Sequence, residues 1–330
     1  MIEMRQVRFR EAEELLERSG LYPVDNADYR VGIFDSDEEL IATGALVGDM
    51  LQMIAVDPAY QGEDLAASVV SNLISHAAGK GISCLHLFTK SESVKSFEGL
   101  GFKTVAHVPG GAALLEWGKP GIDEYLKKLE NSKFEDGGVI GAVVMNCNPF
   151  TLGHRHLVEY AAAKCDRLYV LVVEEDKSEF PFRVRMELVK RGVADLENVR
   201  VIPGGRYVIS SLTFPAYFMR DAKRSRGQAE LDAEIFGTRI APCLGISRRF
   251  MGEEPFSEST AIYNEVMRER VKSVSVEIIP RHERSGKAVS ASEVRRLLRA
   301  GDVDAACAML PESSAAYIRD NLESVKQWLK

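Results

Sequence analysis

Apolar residues along this chain follow two rhythms, and the change comes near its middle. Before residue 131 they gather into short runs at Tyr29–Phe34, Leu40–Leu46, Met50–Val56 and Leu85–Phe88. Runs of this length, bounded by polar or glycine-containing turns, read as strands. Helical spacing marks Glu11–Ser19, Leu65–Ala78 and Val94–Gly99 between them. Several strands in succession and then a helix predict a mixed sheet. After residue 138 the order is regular: strand 139–145, helix 153–164, strand 168–173, helix 183–193, strand 199–202. Such alternation predicts βαβ units and a parallel sheet. Val139–Met145 is almost continuously apolar, as suits a strand buried on both faces. The two stretches meet where the helix-like run Ile122–Leu129 gives way to Asn131–Gly138, polar and then glycine-rich, which reads as a linker. The expectation is an α/β chain of two domains, 1–132 and 138–330, and a length of 330 residues suits two.

Composition narrows the function classes. A net charge of −7 argues against general affinity for nucleic acid or an anionic membrane, so neither is an expected partner. No run of about 18 apolar residues predicts a membrane span. The start, Met1-Ile2-Glu3-Met4-Arg5, does not read as a signal peptide. The five cysteines (Cys84, Cys147, Cys165, Cys243, Cys307) are odd in number and far apart, so neither a disulfide framework nor a zinc spacing is read. A reducing cytoplasm is the expected home.

Chemistry concentrates in Asn148-Pro149-Phe150-Thr151-Leu152-Gly153-His154. This loop follows the predicted strand 139–145 and runs into a helix, so unpaired N–H groups and the positive end of the helix dipole gather there. Gly153 permits close approach of backbone and ligand. Thr151 and His154 add side-chain donors. Alone, Thr151 also suits a helix cap and His154 a surface histidine. A second element stands far downstream, Lys287–Arg295, where Ser290, Ser292 and Arg295 again lead from a polar turn into an amphipathic helix. Two polar helix starts in one βα domain point to a phosphate-bearing ligand.

Thr-x-Gly-His followed by Val-Ser-x-Ser-x-x-Arg resembles the nucleotidylyltransferase superfamily, whose members transfer AMP or CMP from a nucleoside triphosphate and release pyrophosphate. The resemblance implies that His154 stabilises the reacting phosphates and Arg295 the departing pyrophosphate. It implies nucleotide contacts at Asn148, Gly153, Ser290 and Ser292. Lys177 matches the superfamily's basic residue after the second strand, and Arg185 the arginine opening the next helix. Leu244-Gly245-Ile246-Ser247 lies where a nucleotide loop is common, although Gly245 also suits an ordinary turn. Arg206, Arg248 and Arg249 are further candidates for phosphate or carboxylate, since arginine suits bidentate contacts. Arg183 and Lys190 read as a solvated face.

In the first half, Gln61-Gly62-Glu63-Asp64-Leu65-Ala66 leads from a strand into a helix. It resembles the acyl-CoA-binding turn of GNAT-type N-acetyltransferases, Gln/Arg-x-x-Gly-x-Gly/Ala, which cradles a pyrophosphate on backbone N–H groups. That likeness makes Gln61, Gly62 and Ala66 candidates for a CoA-like arm. Two departures stand out: Asp64 replaces a glycine, and Phe97 occupies the place of a tyrosine general acid and has no proton to donate.

An acetyltransferase-like domain joined to a Thr-x-Gly-His domain resembles the family of [citrate (pro-3S)-lyase] ligases. The blocks Ser178–Arg183, Gly205–Ser210, Thr213–Phe218, Phe250–Phe256 and Tyr263–Met267 carry that resemblance along the chain. It implies a GNAT-type mixed-sheet domain before a Rossmann-like parallel-sheet domain. It also implies ATP with Mg²⁺, acetate as substrate, and the citrate lyase acyl carrier subunit with its CoA-like prosthetic group as partner. No resident metal is expected, because no ligand cluster of metal-site spacing occurs. The competing expectations are a dephospho-CoA- or NAD-forming adenylyltransferase and a non-catalytic carrier-binding protein. The basic cluster Arg220, Lys223, Arg224 and Arg226 suits either an acidic carrier surface or a solvated loop.

Overall fold

The computed structural model describes residues 2–21, 25–62, 64–174, 178–208, 221–253, 258–280, 283–284 and 287–329, with backbone alone at 221–225, 258–259, 283–284 and 287–288. Lys177, Ile209, Ser210, the block 213–218, Arg220 and the stretch 254–256 lie outside the described residues. Two compact units emerge, Met1–Tyr125 with Ser211–Leu231, and Leu126–Ser210 with Asp232–Lys330. No described helix is long and apolar enough to cross a membrane.

The first unit runs β1 (Glu3–Gln6), α1 (Phe9–Arg18), β2 (Tyr29–Phe34), β3 (Leu40–Val47), β4 (Met50–Val56), α2 (Leu65–Gly79), β5 (Cys84–Lys90), α3 (Val94–Gly99), β6 (Lys103–His107), β7 (Ala112–Gly118) and the start of α4 (Ile122–Glu130). Among the described residues its strands form one sheet in the order β1-β2-β3-β4-β5-β7-β6. All neighbours are antiparallel except β4 and β5. That parallel pair is joined only at Met50↔His86 and Leu51↔Leu87. Beyond it the register with β3 slips between Thr43 and Ala45, and Met53 takes a left-handed φ of 54°. A bulge of this kind bends a strand away from its neighbour. The apolar face of α2 (Leu65, Val69, Val70, Leu73) packs on β3, where a Cβ at Gly44 would lie 2.5 Å from Val69. The expected mixed sheet is therefore present.

Spacing along the chain does not announce one cluster in this sheet. Cys84, His86 and Glu116 are buried and bring ligand atoms within 4.8 Å of one another, because His86 on β5 faces Glu116 on β7. The Glu116 carboxylate is already engaged, accepting the Ile122 N–H at 3.1 and 3.0 Å and so capping α4.

The second unit continues with β8 (Ile140–Met145), α5 (Leu152–Ala162), β9 (Arg167–Val172), α6 (Phe182–Gly192), β10 (Val199–Pro203), α7 (Asp221–Ile235, shared with the first unit), a π-helical turn (Phe236–Ile240) and α8 (Ala241–Leu244). It ends with β11 (Arg248–Gly252), α9 (Glu258–Arg270), β12 (Ser275–Ile279), β13 (Glu283–Arg284), β14 (Lys287–Ala288), α10 (Ala291–Arg299), α11 (Val303–Cys307), α12 (Glu312–Asp320) and α13 (Leu322–Trp328). Five strands pair in parallel in the order β10-β9-β8-β11-β12 among the described residues. The order reverses at β8, and ligands of open α/β sheets bind at such a switch point, beyond the carboxyl ends of the strands. Val143, Val170 and Phe250 form the middle of the core against α5, α6 and α10.

The stretch expected to be a linker is instead fastened to the amino ends of β9 and β10. Phe134 lies 4.2 Å from the Arg200 guanidinium, 5.6 Å from that of Arg167 and 4.6 Å from the Tyr169 ring. The Tyr169 hydroxyl accepts the Phe134 N–H at 2.8 Å and donates to Ser132 O at 3.0 Å. One aromatic residue in a polar run supplies the anchor, through cation–π and ring contacts that composition does not register.

Candidate active site

The loop between β8 and α5 sits at the switch point. Thr151 caps α5, and its hydroxyl accepts the His154 N–H at 3.4 Å. In return, the Thr151 N–H donates to His154 Nδ1 at 3.0 Å, with the Thr151 hydroxyl 2.9 Å from the same nitrogen. This is a capping box in which histidine takes the place usual for glutamate or glutamine. Because Nδ1 accepts from the backbone, these hydrogen bonds assign the ring to the Nε2–H tautomer. Phe150, fully buried, stacks on the ring at 5.9 Å between centroids. His154 is thus both a piece of the helix start and a donor on the wall of a cavity.

That cavity has a volume of about 550 Å³. Asn148, Thr151, Gly153 and His154 line it from the first helix start, and Ser290, Ser292 and Arg295 from the second. The ends of β11 and β12 add Gly252, Glu253 and Ile279. A Cβ at Gly153 would stand 3.3 Å from Val289 O, so glycine lets the segment before α10 close on the first turn of α5. His156, Glu253 and Thr260 line the cavity without having been singled out in sequence. Two helix starts, His154 and Arg295 together suit a phosphate-rich ligand.

A carboxylate that sequence reasoning quoted but gave no role ties the two halves of the site together. Glu179 Oε1 accepts from Arg295 Nε and Arg299 Nη2, both at 3.0 Å. Its Oε2 accepts from Asn148 Nδ2 at 2.6 Å, while Asn148 Oδ1 accepts the Phe180 N–H at 3.0 Å. Burial opposes its charge, but the Asn148 amide and the two arginines outweigh burial and hold its pKa at about 2, against 4.5 for an ordinary glutamate. A depressed carboxylate stabilises the fold above the unfolded value and loses that contribution as pH falls from 4.5 towards 2. The contribution is on the order of 2 kcal/mol, allowing for partial exposure. Thermal melts of the wild type and Glu179→Gln should therefore differ at pH 6 and converge only as the pH approaches 2; a constant difference would contradict this.

Two candidates fall elsewhere. Arg185 is fully buried and does not line the cavity. Its Nη1 donates to Asn146 O and Oδ1, both at 2.9 Å, and to Val173 O at 2.7 Å, while Nε donates to Phe180 O at 3.0 Å. It braces the loop from beneath. Gly245, at φ +70°, ends α8 and precedes β11. Since β11 runs parallel to β8, Gly245 lies at the edge of the sheet opposite the cavity, and its role is a helix stop. Lys177 is outside the described residues. Neither Arg248 nor Arg249 is among the cavity residues. Arg248 donates to Lys164 O at 2.8 Å. Arg249 is 1% exposed, with its guanidinium 4.8 Å from the Phe236 ring and paired electrostatically with Asp232 and Tyr263. Cys147 is buried, and burial pushes its thiol far up, which suits packing and not nucleophilic attack.

The first unit has its own cavity, about 460 Å³, where β4 and β5 part. Met53–Val56 and Leu87–Lys90 form its walls, and Gln61, Ala66, Ser93, Ser96 and Phe97 also line it. Gly62 (φ +98°) belongs to the same turn but is not on the wall. Asp64 holds a left-handed φ of 55°, a conformation in which glycine is unstrained, as expected of a residue standing in a glycine's place.

Among solved structures, the ribosomal-protein-S18-alanine N-acetyltransferase of Escherichia coli aligns with 37% of this chain and 97% of its own, at 18% identity and TM-score 0.30. A putative acetyltransferase of the GNAT family from Desulfovibrio desulfuricans aligns with 36% of this chain and 99% of its own, at 13% identity and TM-score 0.31. The family model for the citrate lyase ligase C-terminal domain matches residues 140–318. The [citrate [pro-3S]-lyase] ligase of Escherichia coli K12 is 36% identical over 299 residues, covering 88% of this chain and 85% of that protein. Its namesake from Haemophilus influenzae is 31% identical over 315 residues, covering 93% and 94%. With a family match across the whole parallel sheet and relatives aligned along about nine-tenths of its length, the chain belongs to the [citrate (pro-3S)-lyase] ligase family.

Proposed function

We propose that this chain is the ligase that acts on citrate lyase, and that the second unit activates acetate with ATP. An acetate oxygen attacks the α-phosphorus, the bond to the bridging oxygen breaks, and pyrophosphate leaves; acetyl-adenylate remains. The thiol of the CoA-like group on the acyl carrier subunit then attacks the acetyl carbon. AMP departs, the thiol proton passes to solvent, and the carrier holds a thioester. The observation that supports this reading is the convergence of His154 and Arg295, from two helix starts, on one cavity at the switch point of a parallel sheet.

The protein's part is positioning and charge stabilisation. His154 Nε2–H donates to the phosphates, Arg295 receives the pyrophosphate, and the N–H groups of both helix starts hold the oxygens between them. Mg²⁺ would arrive on ATP and screen the phosphate charge; among the described lining residues Glu253 is the one carboxylate available to it.

Exchange of labelled pyrophosphate into ATP tests the first step. Acetate-dependent exchange is the expected result. Exchange that requires a phosphate-ester acceptor instead would favour a dinucleotide-forming enzyme, and none at all from folded protein would end the catalytic reading. The cavity between β4 and β5 is proposed to dock the carrier's CoA-like arm, on the strength of its place beside Gln61 and Ala66. Free coenzyme A should then compete with carrier acetylation and leave exchange untouched. Acetylation indifferent to saturating coenzyme A would remove that role.

A further inference from the structure

We propose that Glu179 is a positioning residue for the pyrophosphate-binding arginine: it fixes the plane of the Arg295 guanidinium while Arg299 keeps the pair from becoming neutral. The inference rests on the functional reading above and assigns a role to a residue outside both helix-start motifs.

The Arg295 guanidinium is planar, so two fixed nitrogens decide where the third points. Nε is held by Glu179 at 3.0 Å and Nη1 by Asn148 O at 2.6 Å. Among the described residues Nη2 has only a long contact, 3.5 Å, to Ser292 Oγ on the cavity wall. The edge left for a ligand is therefore the one beside Ser292. Glu179 is itself pinned, because Asn148 Nδ2 holds its other oxygen.

Charge is the second half of the argument. A carboxylate paired with one arginine would cancel the cation that an anionic leaving group needs. Here the same oxygen also takes Arg299 Nη2, so two guanidinium groups share one carboxylate and a net positive charge stays at the site. Arg299 is anchored in turn by Leu329 O, 2.9 Å from its Nε.

The test uses the full-length protein and calorimetric binding of inorganic pyrophosphate and ATP, alongside exchange kinetics. Glu179→Gln should weaken pyrophosphate binding roughly tenfold, the size of coupling usual within one ion-pair network. In an Arg295→Ala background the same change should cost less than about twofold, because its effect passes through Arg295. Equal losses in both backgrounds, or binding by Glu179→Gln indistinguishable from wild type, would overturn the proposal, as would a wild type that binds neither anion. Should Glu179→Gln fail to fold, Arg299→Gln serves: binding falls because Glu179 then neutralises Arg295 alone, and unchanged binding counts against the idea. Coupled binding without acetate-dependent exchange would leave the positioning role standing and sink the functional reading.

Discussion

Replacing His154 by alanine is expected to reduce acetate-dependent pyrophosphate exchange by roughly 10²- to 10³-fold, the usual cost of losing one donor aimed at developing charge. The same change removes the acceptor of the Thr151 N–H, so a stability loss of about 1 kcal/mol should accompany it. His154→Gln separates the two roles. Glutamine at the third helical position can close the capping box, so the helix start should be kept. Its amide cannot reproduce the Nε2–H on the cavity wall, and exchange should stay low. Near-normal exchange by the glutamine variant would reduce His154 to a cap.

The largest effect on stability is expected at Arg185. Alanine there strips donors from Asn146 O and Oδ1, Val173 O and Phe180 O at once, and the bonds to Val173 O and Phe180 O are buried away from water. Unpaired buried acceptors cost about 1–3 kcal/mol each, so a loss on the order of 3 kcal/mol or more is expected. Lysine should recover only part of it, since one ammonium cannot span acceptors arranged for a planar fork. Urea denaturation followed by circular dichroism measures this directly. An unshifted midpoint would mean that the guanidinium is not the brace described here, and would return Arg185 to the ligand.

Both predictions turn on the difference between a residue's type and its neighbours. Arg185 and Arg295 look alike in sequence, each near the start of an amphipathic helix. Arg185 has its acceptors in the loop above it and is consumed by them. Arg295 keeps one edge at the cavity. Gly245 was a candidate through its place in the chain, yet the parallel pairing of β11 with β8 sends it to the far edge of the sheet. The polar stretch 131–138 read as a linker because composition sees polarity and glycine, while Phe134 is gripped by Arg167, Arg200 and Tyr169. Strand β11 was not foreseen, since Arg248 and Arg249 open it and the burial of Arg249 depends on Asp232 and Tyr263, distant in sequence.

Local physics made much of the molecule legible in advance. The continuous apolar run before residue 146 demanded a strand buried on both faces, and strand–helix alternation demanded parallel pairing. A hydroxyl three residues before His154 wrote the helix start into the chain, because a cap is made among neighbours. What sequence alone could not decide is anything built by groups far apart along it. The approach of Ser290 and Arg295 to His154, the shared carboxylate of Glu179 and the parting of β4 from β5 each depend on how elements pack. Spacing along the chain carries no distance between such groups, so only the tertiary structure could place them.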